Sequence, residues 1–311
     1  MSNASIPQIA VIGAGLVGAS CARALADAGL GVHLFDKSRG VGGRLATRRL
    51  HWAGQQGQAQ SVEVDRGAVG FQAQALAFQA FAKRHVERGV LALWQPKLAP
   101  EGLHDAHAQA SLYLPAPHMP TLCRHLLEGL PQTLAWPVDS LHRVASVWLV
   151  QADHAVHPAP FDAVLLALPQ AQASALLGPH RADWARHAAV TPMAPWVQAE
   201  LQAALEHGVG QSLRWQHLQV HRWRCALLQP ARSVPAPIRW WDADLGLGLC
   251  GDFIGGAGAE GAWLSAQSLG AAVLATHPAA VGRWSSSVAR LGLTAMPFLD
   301  SVQAVQSLRA G

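Results

Sequence analysis

The chain has 311 residues, of which half are apolar and 14% are charged, and its net charge at pH 7 is +4. This composition predicts a compact folded protein with room for two domains, and it argues against a disordered chain. Because the net charge is mild and the basic residues are scattered, we expect no nucleic-acid partner.

The N-terminal segment has the pattern of a strand, a glycine turn, a helix and a second strand. The apolar run Ile9–Ile12 predicts a buried parallel strand, a helix follows to about Ala28, and Val32–Phe35 predicts the second strand. The turn has the spacing G-x-G-x-x-G, formed by Gly13, Gly15 and Gly18. Glycine permits a tight turn and lets a pyrophosphate approach the backbone, while the helix N-terminus offers free N–H groups.

Asp36 stands at the end of the second strand. A carboxylate at this place can accept hydrogen bonds from a ribose diol. Strand, turn, helix and acid together predict a Rossmann-like dinucleotide-binding domain. The alternative is a structural turn without a ligand, since a chain with 29 glycines can produce this spacing by chance.

A second glycine turn, with Gly40, Gly42 and Gly43, follows Asp36 and leads into Arg44. A simple NAD dehydrogenase would continue from its second strand into another helix. The arginine-rich, alternating segment found here suits a larger cofactor, whose pyrophosphate needs a second clamp. Arg44 offers a planar fork of donors for that phosphate. The alternative is a basic surface loop.

Two predicted strands, Leu45–Trp52 and Ser61–Asp65, flank a polar turn and lead into D-R-G-A-V-G-F. The set GxGxxG, D-K-S-R-G-x-G-G-R and D-x-G-A-x-x-F resembles the FAD-binding amine-oxidase superfamily and, within it, the renalase-like bacterial flavoproteins. The resemblance implies FAD in an α/β fold of the glutathione-reductase type. We expect the FAD to be noncovalent, because no cysteine or histidine lies at an obvious attachment motif. It also implies these FAD neighbours within the motifs: Lys37, Gly43, Arg44, Gly67, Ala68 and Phe71.

The middle of the chain predicts a cap segment and a return to the sheet. Ala73–Arg88 has the spacing of an amphipathic helix, with Leu76, Phe78 and Phe81 facing inward. Short segments at Leu91–Pro100 and Leu112–Pro117 and a helix at Met119–Glu128 follow. Val138–Gln151 alternates like a hairpin, and Asp162–Leu168 predicts a buried strand of the parallel sheet. The resemblance implies a backbone contact between Val138 and the adenine.

In the family that the chain resembles, several strands form a roof over the active site. This chain departs from the family in that region. Pro195 leads directly into Trp196 and a predicted helix, Val197–Glu206, so we expect a shortened roof. Beyond it, Trp215–Leu228 alternates like a strand. It resembles an H-R-W-x-x-A strand of that family, which lies on the substrate side of the family's flavin. His221 and Trp223 are therefore the candidate catalytic residues, since an imidazole titrates near neutrality. With 16 histidines in the chain, the alternative for His221 is a filler role.

The segment Leu247–Ser265 carries the second strong motif. A strand is predicted to end at Gly251 and Asp252, with a glycine loop after it and a helix from near Gly261. Asp252 suits the ribityl and phosphate end of FAD, and the helix start at Gly261, Ala262 and Trp263 suits the negative charge that flavin gains on reduction. The alternative is a glycine-rich loop before a core helix.

These observations predict an α/β protein with a Rossmann-like FAD domain and a smaller, discontinuous α+β substrate domain. Residues 1–72, 137–190 and 239–275 form the first, 73–136 and 191–238 the second, and 276–311 a tail of unknown role. The resemblance implies hydride transfer from a dihydronicotinamide-type (NAD(P)H-like) substrate, with dioxygen as acceptor. The alternatives are an FAD-dependent amine oxidase, a flavin-binding protein with a degraded active site, and an ordinary NAD dehydrogenase.

Other features of the sequence set outer limits. The four cysteines form no C-x-x-C pair, which predicts buried free thiols and no metal site. No apolar run is long enough and free enough of glycine and proline to span a bilayer, and no signal peptide is recognisable. We therefore expect a cytoplasmic protein with no membrane partner.

Overall fold

The computed structural model describes residues 6–54, 56–95, 111–188, 206–207, 210, 212, 238–256 and 258–277. The strands are β1 (Gln8–Ile12), β2 (Gly31–Phe35), β3 (Leu45–Ala53), β4 (Ala59–Gly67), β5 (Leu91–Trp94), β6 (Leu112–Pro115), β7 (Gln132–Thr133), β8 (Ser140–Val144), β9 (Val147–Ala152), β10 (Ala155–Val156), β11 (Ala163–Leu166), β12 (Trp240–Asp242) and β13 (Leu247–Leu249). The helices are α1 (Leu16–Asp27), α2 (Leu76–Glu87), α3 (Thr121–Leu126), α4 (Gln170–Leu177), α5 (Ala182–Ala188), α6 (Asp252–Gly255) and α7 (Gly258–Ala275).

The main sheet of the described chain has six strands in the order β12-β13-β11-β1-β2-β7. All neighbours are parallel except the edge strand β12, which runs antiparallel to β13. β1 and β11 are continuous apolar runs because both faces of the sheet are covered. The predicted strands at Ile9–Ile12, Val32–Phe35 and Asp162–Leu168 are thereby confirmed, and they lie side by side.

The two faces of the sheet bury different layers. Alternate residues of β1 point to opposite sides, so Ile9 and Val11 pack with α1, α3 and α7. Ala10 and Ile12 pack on the other side, with β9, α4 and the fully buried Trp148. α1 and α7 pack closely, since a Cβ at Gly270 would lie 3.7 Å from the Ala24 Cβ.

The described residues form three smaller sheets beside this core. β8, β9 and β10 form an antiparallel sheet, which confirms the hairpin predicted at Val138–Gln151. β3 and β4 form an antiparallel hairpin directly after the second glycine turn, and β5 pairs with β6. Among the cysteines, Cys21, Cys123 and Cys250 are free and buried, as predicted, whereas Cys225 lies outside the described residues.

Two details of the helices differ from the sequence prediction. Phe78 and Phe81 of α2 are buried, but Leu76 is 84% exposed and does not face inward. At 100° per residue, Leu76 stands on the side of the helix opposite Phe78, so one face cannot hold both. The helix predicted from near Gly261 begins three residues earlier, at Gly258, and the short helix α6 precedes it.

Candidate functional site

The turn between β1 and α1 can be built only with glycine at two of its positions. Gly13 has a φ of 113°, and its N–H donates to the Phe35 carbonyl at 2.8 Å. A Cβ at Gly18 would lie 1.8 Å from the Gly13 carbonyl oxygen, so any side chain there would push α1 off the turn. Gly15 is the N-cap of α1 and supplies no side-chain cap. The first-turn amides of α1 therefore remain available to an anion.

The second glycine turn lies against the first. The Gly42 N–H donates to the Ala14 carbonyl at 2.8 Å, and Gly15 and Gly42 form an isolated parallel bridge. A Cβ at Gly43 would lie 3.1 Å from the Gly15 Cα, so the two backbones meet without side chains between them. Two glycine turns that the sequence separates by a helix and a strand thus form one cradle, which we call the glycine cradle (residues 13–15 and 42–43).

Asp36 holds the glycine cradle from the end of β2. One carboxylate oxygen accepts the Ala14 N–H at 2.6 Å, and the other accepts the Ser38 N–H at 2.7 Å. Each oxygen keeps a further lone pair for a ribose hydroxyl, so the predicted role remains open to it. The structure adds a second role, because Asp36 also fixes the conformation of the turn. Lys37 is exposed on the loop that follows.

Arg44 and Asp252 meet at the edge of the glycine cradle. The Arg44 NH1 lies 2.6 Å from the Asp252 Oδ2, and the Asp252 side chain is only 7% exposed. Asp252 begins α6, shortly after β13, so two glycine-containing motifs that lie far apart in the sequence are in contact. The remaining N–H donors of the guanidinium can face a second anion.

Ser265 of α7 holds the backbone from which Asp252 projects. Its hydroxyl is fully buried, accepts the Gly251 N–H at 3.0 Å and donates to the Ile238 carbonyl at 2.6 Å. Ser265 was not among the residues predicted to form the site. A single buried hydroxyl one turn after Gly261, on an otherwise apolar helix face, was the available signal.

The segment after β4 lies beside Arg44 and the start of β3. Gly67 pairs with Leu45 in the hairpin, and the Ala68 N–H donates to the Arg44 carbonyl at 3.0 Å. Phe71 is buried and exchanges two backbone hydrogen bonds with Tyr113, at 3.1 and 2.8 Å. The predicted ring neighbours Gly67, Ala68 and Phe71 therefore stand on one rigid segment next to Arg44.

The start of α7 completes the arrangement. A Cβ at Gly261 would lie 1.7 Å from the Gly256 carbonyl oxygen, so α6 and α7 meet at a point that excludes a side chain. Because α7 begins at Gly258, the amides that lack a partner inside the helix end at Glu260, and the amides of Gly261, Ala262 and Trp263 are used within it. Trp263 packs its ring on Phe78 and Phe81 of α2, with centroids 5.4 and 5.2 Å away.

Val138 lies on a segment tied to Asp36. The Trp136 N–H donates to the Asp36 carbonyl at 2.9 Å, and the Val138 N–H donates to the Trp136 carbonyl at 2.9 Å. The Trp136 indole N–H is buried and has no acceptor among the described residues. Val138 is therefore linked through Trp136 to the residue predicted to hold the ribose, and its contact with the adenine stays a prediction.

The predicted catalytic pair lies outside the described residues. His221 and Trp223 belong to residues 213–237, and of the predicted roof segment only Glu206 is described. Their roles, and the shortened roof, stay predictions.

The described residues fit a dinucleotide with a flavin. The first turn of α1 offers backbone N–H groups to a pyrophosphate, and the glycine cradle has no side chain at Gly15 or Gly43 to obstruct it. Asp36 offers ribose acceptors, and Arg44 offers a cation beside the turn. FAD needs a site for its flavin end as well as one for its nucleotide end. The segments Gly67–Phe71 and Gly258–Gly261 lie on the side of Arg44, next to the glycine cradle, and could receive the flavin end.

Comparison with known proteins supports the fold. A family model described as an NAD(P)-binding Rossmann-like domain matches residues 11–84. The crystal structure of a candidate protoporphyrinogen oxidase from Exiguobacterium sp. 255-15 is similar with a TM-score of 0.59 at 13% identity, over 86% of this chain and 99% of that one. This likeness concerns the fold.

Two further solved structures overlap with smaller parts of the chain. Tetracycline destructase Tet(51) has a TM-score of 0.34 at 15% identity, over 52% of this chain and 38% of its own. Putrescine oxidase has a TM-score of 0.31 at 14% identity, over 55% and 60%. In the part of the chain that the structure describes, no helix is long and apolar enough to cross a membrane. The family model and the observed sheet together show that the chain contains a Rossmann-like dinucleotide-binding domain, built on a parallel sheet in a mixed α/β fold.

Proposed function

We propose that the chain is an FAD-dependent oxidoreductase of the renalase-like kind, which oxidises a dihydronicotinamide-type substrate and passes the electrons to dioxygen. The observation that carries the proposal is the contact between the two glycine turns, closed by the Arg44–Asp252 ion pair. A dinucleotide bound at the first turn alone has no use for the second turn, whereas a larger cofactor with a flavin end uses both.

The described residues would bind and orient this cofactor. The glycine cradle and Arg44 bind the pyrophosphate, Asp36 the ribose of the adenosine, and Val138 the adenine. Asp252, whose backbone is held by Ser265, would accept hydrogen bonds from the ribityl chain, because it lies beside Arg44, the proposed ligand of the pyrophosphate. FAD, when bound, supplies the two-electron acceptor for a hydride from the substrate and returns the electrons to dioxygen.

The residues on the substrate side complete the proposal. The N-terminal end of α7 favours negative charge on the neighbouring edge of the ring, through its open amides and its dipole. His221 is proposed to orient the substrate, with Trp223 expected on the same face of the strand that the sequence predicts there. Both assignments rest on the sequence pattern, and the second experiment below tests that of His221 separately from cofactor binding.

The first experiment identifies the cofactor. The purified protein is expected to be yellow, with the absorbance bands of oxidised flavin, and denaturation is expected to release FAD. A colourless protein that cannot be reconstituted with FAD contradicts the proposal, as does the release of FMN or NAD.

The second experiment identifies the reaction. Under anaerobic conditions the flavin is mixed with a dihydronicotinamide or with an amine, and bleaching is followed by stopped flow. We expect bleaching by the dihydronicotinamide, and slower bleaching for His221→Ala at matched FAD occupancy. His142→Ala, on the exposed face of β8, is the matched control. Bleaching by amines alone would support an amine oxidase, and bleaching by neither would support a flavin-binding protein without this activity.

A further inference from the structure

Glu260, in the first turn of α7, forms a clamp on a different helix. Its Oε2 accepts the Gln74 N–H at 2.5 Å and its Oε1 accepts the Ala75 N–H at 3.1 Å. Ala75 is the N-cap of α2 and has no side-chain group that could cap the helix. The first N–H groups of a helix lack partners inside it, and a negative charge there is favoured by the helix dipole. Glu260 therefore caps α2 from outside.

The clamp joins two segments that stand at the proposed flavin end. Gln74 and Ala75 follow closely on the segment Gly67–Phe71, and Gly261 follows Glu260 directly. A shift of α2 relative to α7 would therefore change the distance between the two proposed walls of the flavin pocket. Along the chain, each of the two walls leads to the clamp with no helix or strand between them.

The apolar contact between the same two helices cannot fix this distance by itself. Phe78 and Phe81 pack on Trp263 at centroid distances of 5.4 and 5.2 Å, with tilted rings. Apolar contacts are non-directional, so such rings can slide by a fraction of an ångström at little cost. A carboxylate held by two backbone N–H groups is directional and charge-assisted, and it defines one register.

We propose that Glu260 is a positioning residue, which sets the spacing between the Gly67–Phe71 segment and the start of α7 and holds a negative charge beside the flavin. The part of this role that concerns the flavin rests on the proposed function. The clamp between Glu260 and the start of α2 does not depend on it. The charge makes reduction of the ring less favourable, because reduction adds negative charge nearby. The spacing sets the environment that the ring's visible absorbance reports.

The test replaces Glu260 with glutamine in the full chain. Glu260→Gln keeps the size of the side chain but removes the charge and one of the two acceptors. Glu87→Gln is the matched control, because it makes the same chemical change at the exposed C-terminal end of α2. Hydrogen exchange of the Gln74 and Ala75 amides is measured with and without FAD, and the absorbance spectrum and midpoint potential are measured on the FAD-loaded protein.

We expect exchange at Gln74 and Ala75 to be about fivefold faster in Glu260→Gln, the ordinary effect of losing a helix cap. We also expect a changed visible spectrum and a midpoint potential shifted to more positive values, with no change of either kind in Glu87→Gln. Unchanged exchange would overturn the clamp. Faster exchange with an unchanged spectrum and potential would reduce Glu260 to a helix cap and overturn the positioning role. A wild type that takes up no flavin would overturn the proposed function and the flavin part of this inference, while the exchange data would still decide the clamp.

Discussion

The Arg44 guanidinium lies 2.6 Å from the Asp252 carboxylate, although the two residues belong to motifs near opposite ends of the described chain. Asp252 is almost fully buried, and a buried carboxylate is stable as an anion only with a partner. Arg44 is about one-third exposed and has five donors, so it can hold Asp252 and still face a phosphate. The pair thus ties the second glycine turn to the strand end at β13.

Arg44→Lys separates these two roles. A lysine can keep the ion pair with Asp252, but a point charge cannot reproduce the fork that binds a phosphate at two oxygens. We expect the free energy of unfolding to fall by less than about 1 kcal/mol, while FAD dissociates about tenfold more readily. Flavin fluorescence on dilution measures the dissociation.

Arg49→Lys is the control for this prediction. Arg49 lies on β3, which directly follows Arg44, and pairs with Glu63 on the exposed side, so the same substitution should leave FAD retention unchanged. If Arg44→Lys instead keeps FAD as firmly as Arg49→Lys does and loses affinity for the substrate, Arg44 is not a phosphate ligand.

Gly15→Ala and Gly13→Ala should have opposite effects. Gly15 has a φ of −77°, and a Cβ there would meet nothing closer than the Gly43 Cα at 3.8 Å, so the fold tolerates alanine. The new methyl group would occupy the glycine cradle and keep a pyrophosphate from the backbone. We therefore expect a normal melting temperature and weak FAD binding for Gly15→Ala.

Gly13→Ala should damage the fold itself. A Cβ at Gly13 would lie 2.3 Å from the Ala167 carbonyl oxygen, and the φ of 113° is strained for alanine. We expect a loss of more than about 2 kcal/mol in the free energy of unfolding, measured by urea denaturation. Equal stability of the two variants would show that the turn does not have this geometry.

Ser265→Ala should weaken both the fold and the cofactor site. It leaves the Gly251 N–H and the Ile238 carbonyl without their buried partner, which costs about 1–3 kcal/mol. Because Gly251 positions Asp252, FAD retention should fall as well. Ser174→Ala, which removes one hydrogen bond to the Ala185 carbonyl between α4 and α5, should lower stability and leave FAD retention unchanged. Equal FAD retention in the two variants would remove Ser265 from the site.

His85 should make the fold less stable in mild acid. Burial is the largest cause that lowers its pKa from 6.5 to about 4, and the hydrogen bond to the Phe81 carbonyl opposes this only in part. The unfolded chain therefore binds a proton at higher pH than the folded one, so stability falls as the pH drops from about 6.5 to 4 and then levels off. The loss amounts to about 3 kcal/mol.

The measurement for His85 is urea denaturation at several pH values between 4 and 7, for the wild type and His85→Leu. Leucine fills a similar volume and does not titrate, so the variant should show a shallower loss of stability on acidification. Parallel pH dependences would mean that His85 does not contribute.

Local pattern was sufficient to predict the strand–turn–helix–strand unit from Ile9 to Asp36, because each of those signals depends on neighbours within a few residues. The spacing of three glycines and the apolar runs of β1 and β11 directly encode a turn and buried strands. Leu76 shows where such reasoning fails, since the helical angle and not hydrophobicity decides which side of α2 is buried.

The tertiary structure alone decided which motifs meet. The sequence placed Arg44 and Asp252 as separate cofactor ligands, and their contact depends on β1, β11 and β13 lying side by side in the sheet. The same holds for Ser265, which bonds the end of β13, and for Glu260, which caps a helix far away in the chain. Ser265 and Glu260 form these hydrogen bonds with backbone groups, which no sequence pattern identifies, so only the packing of the elements reveals their partners.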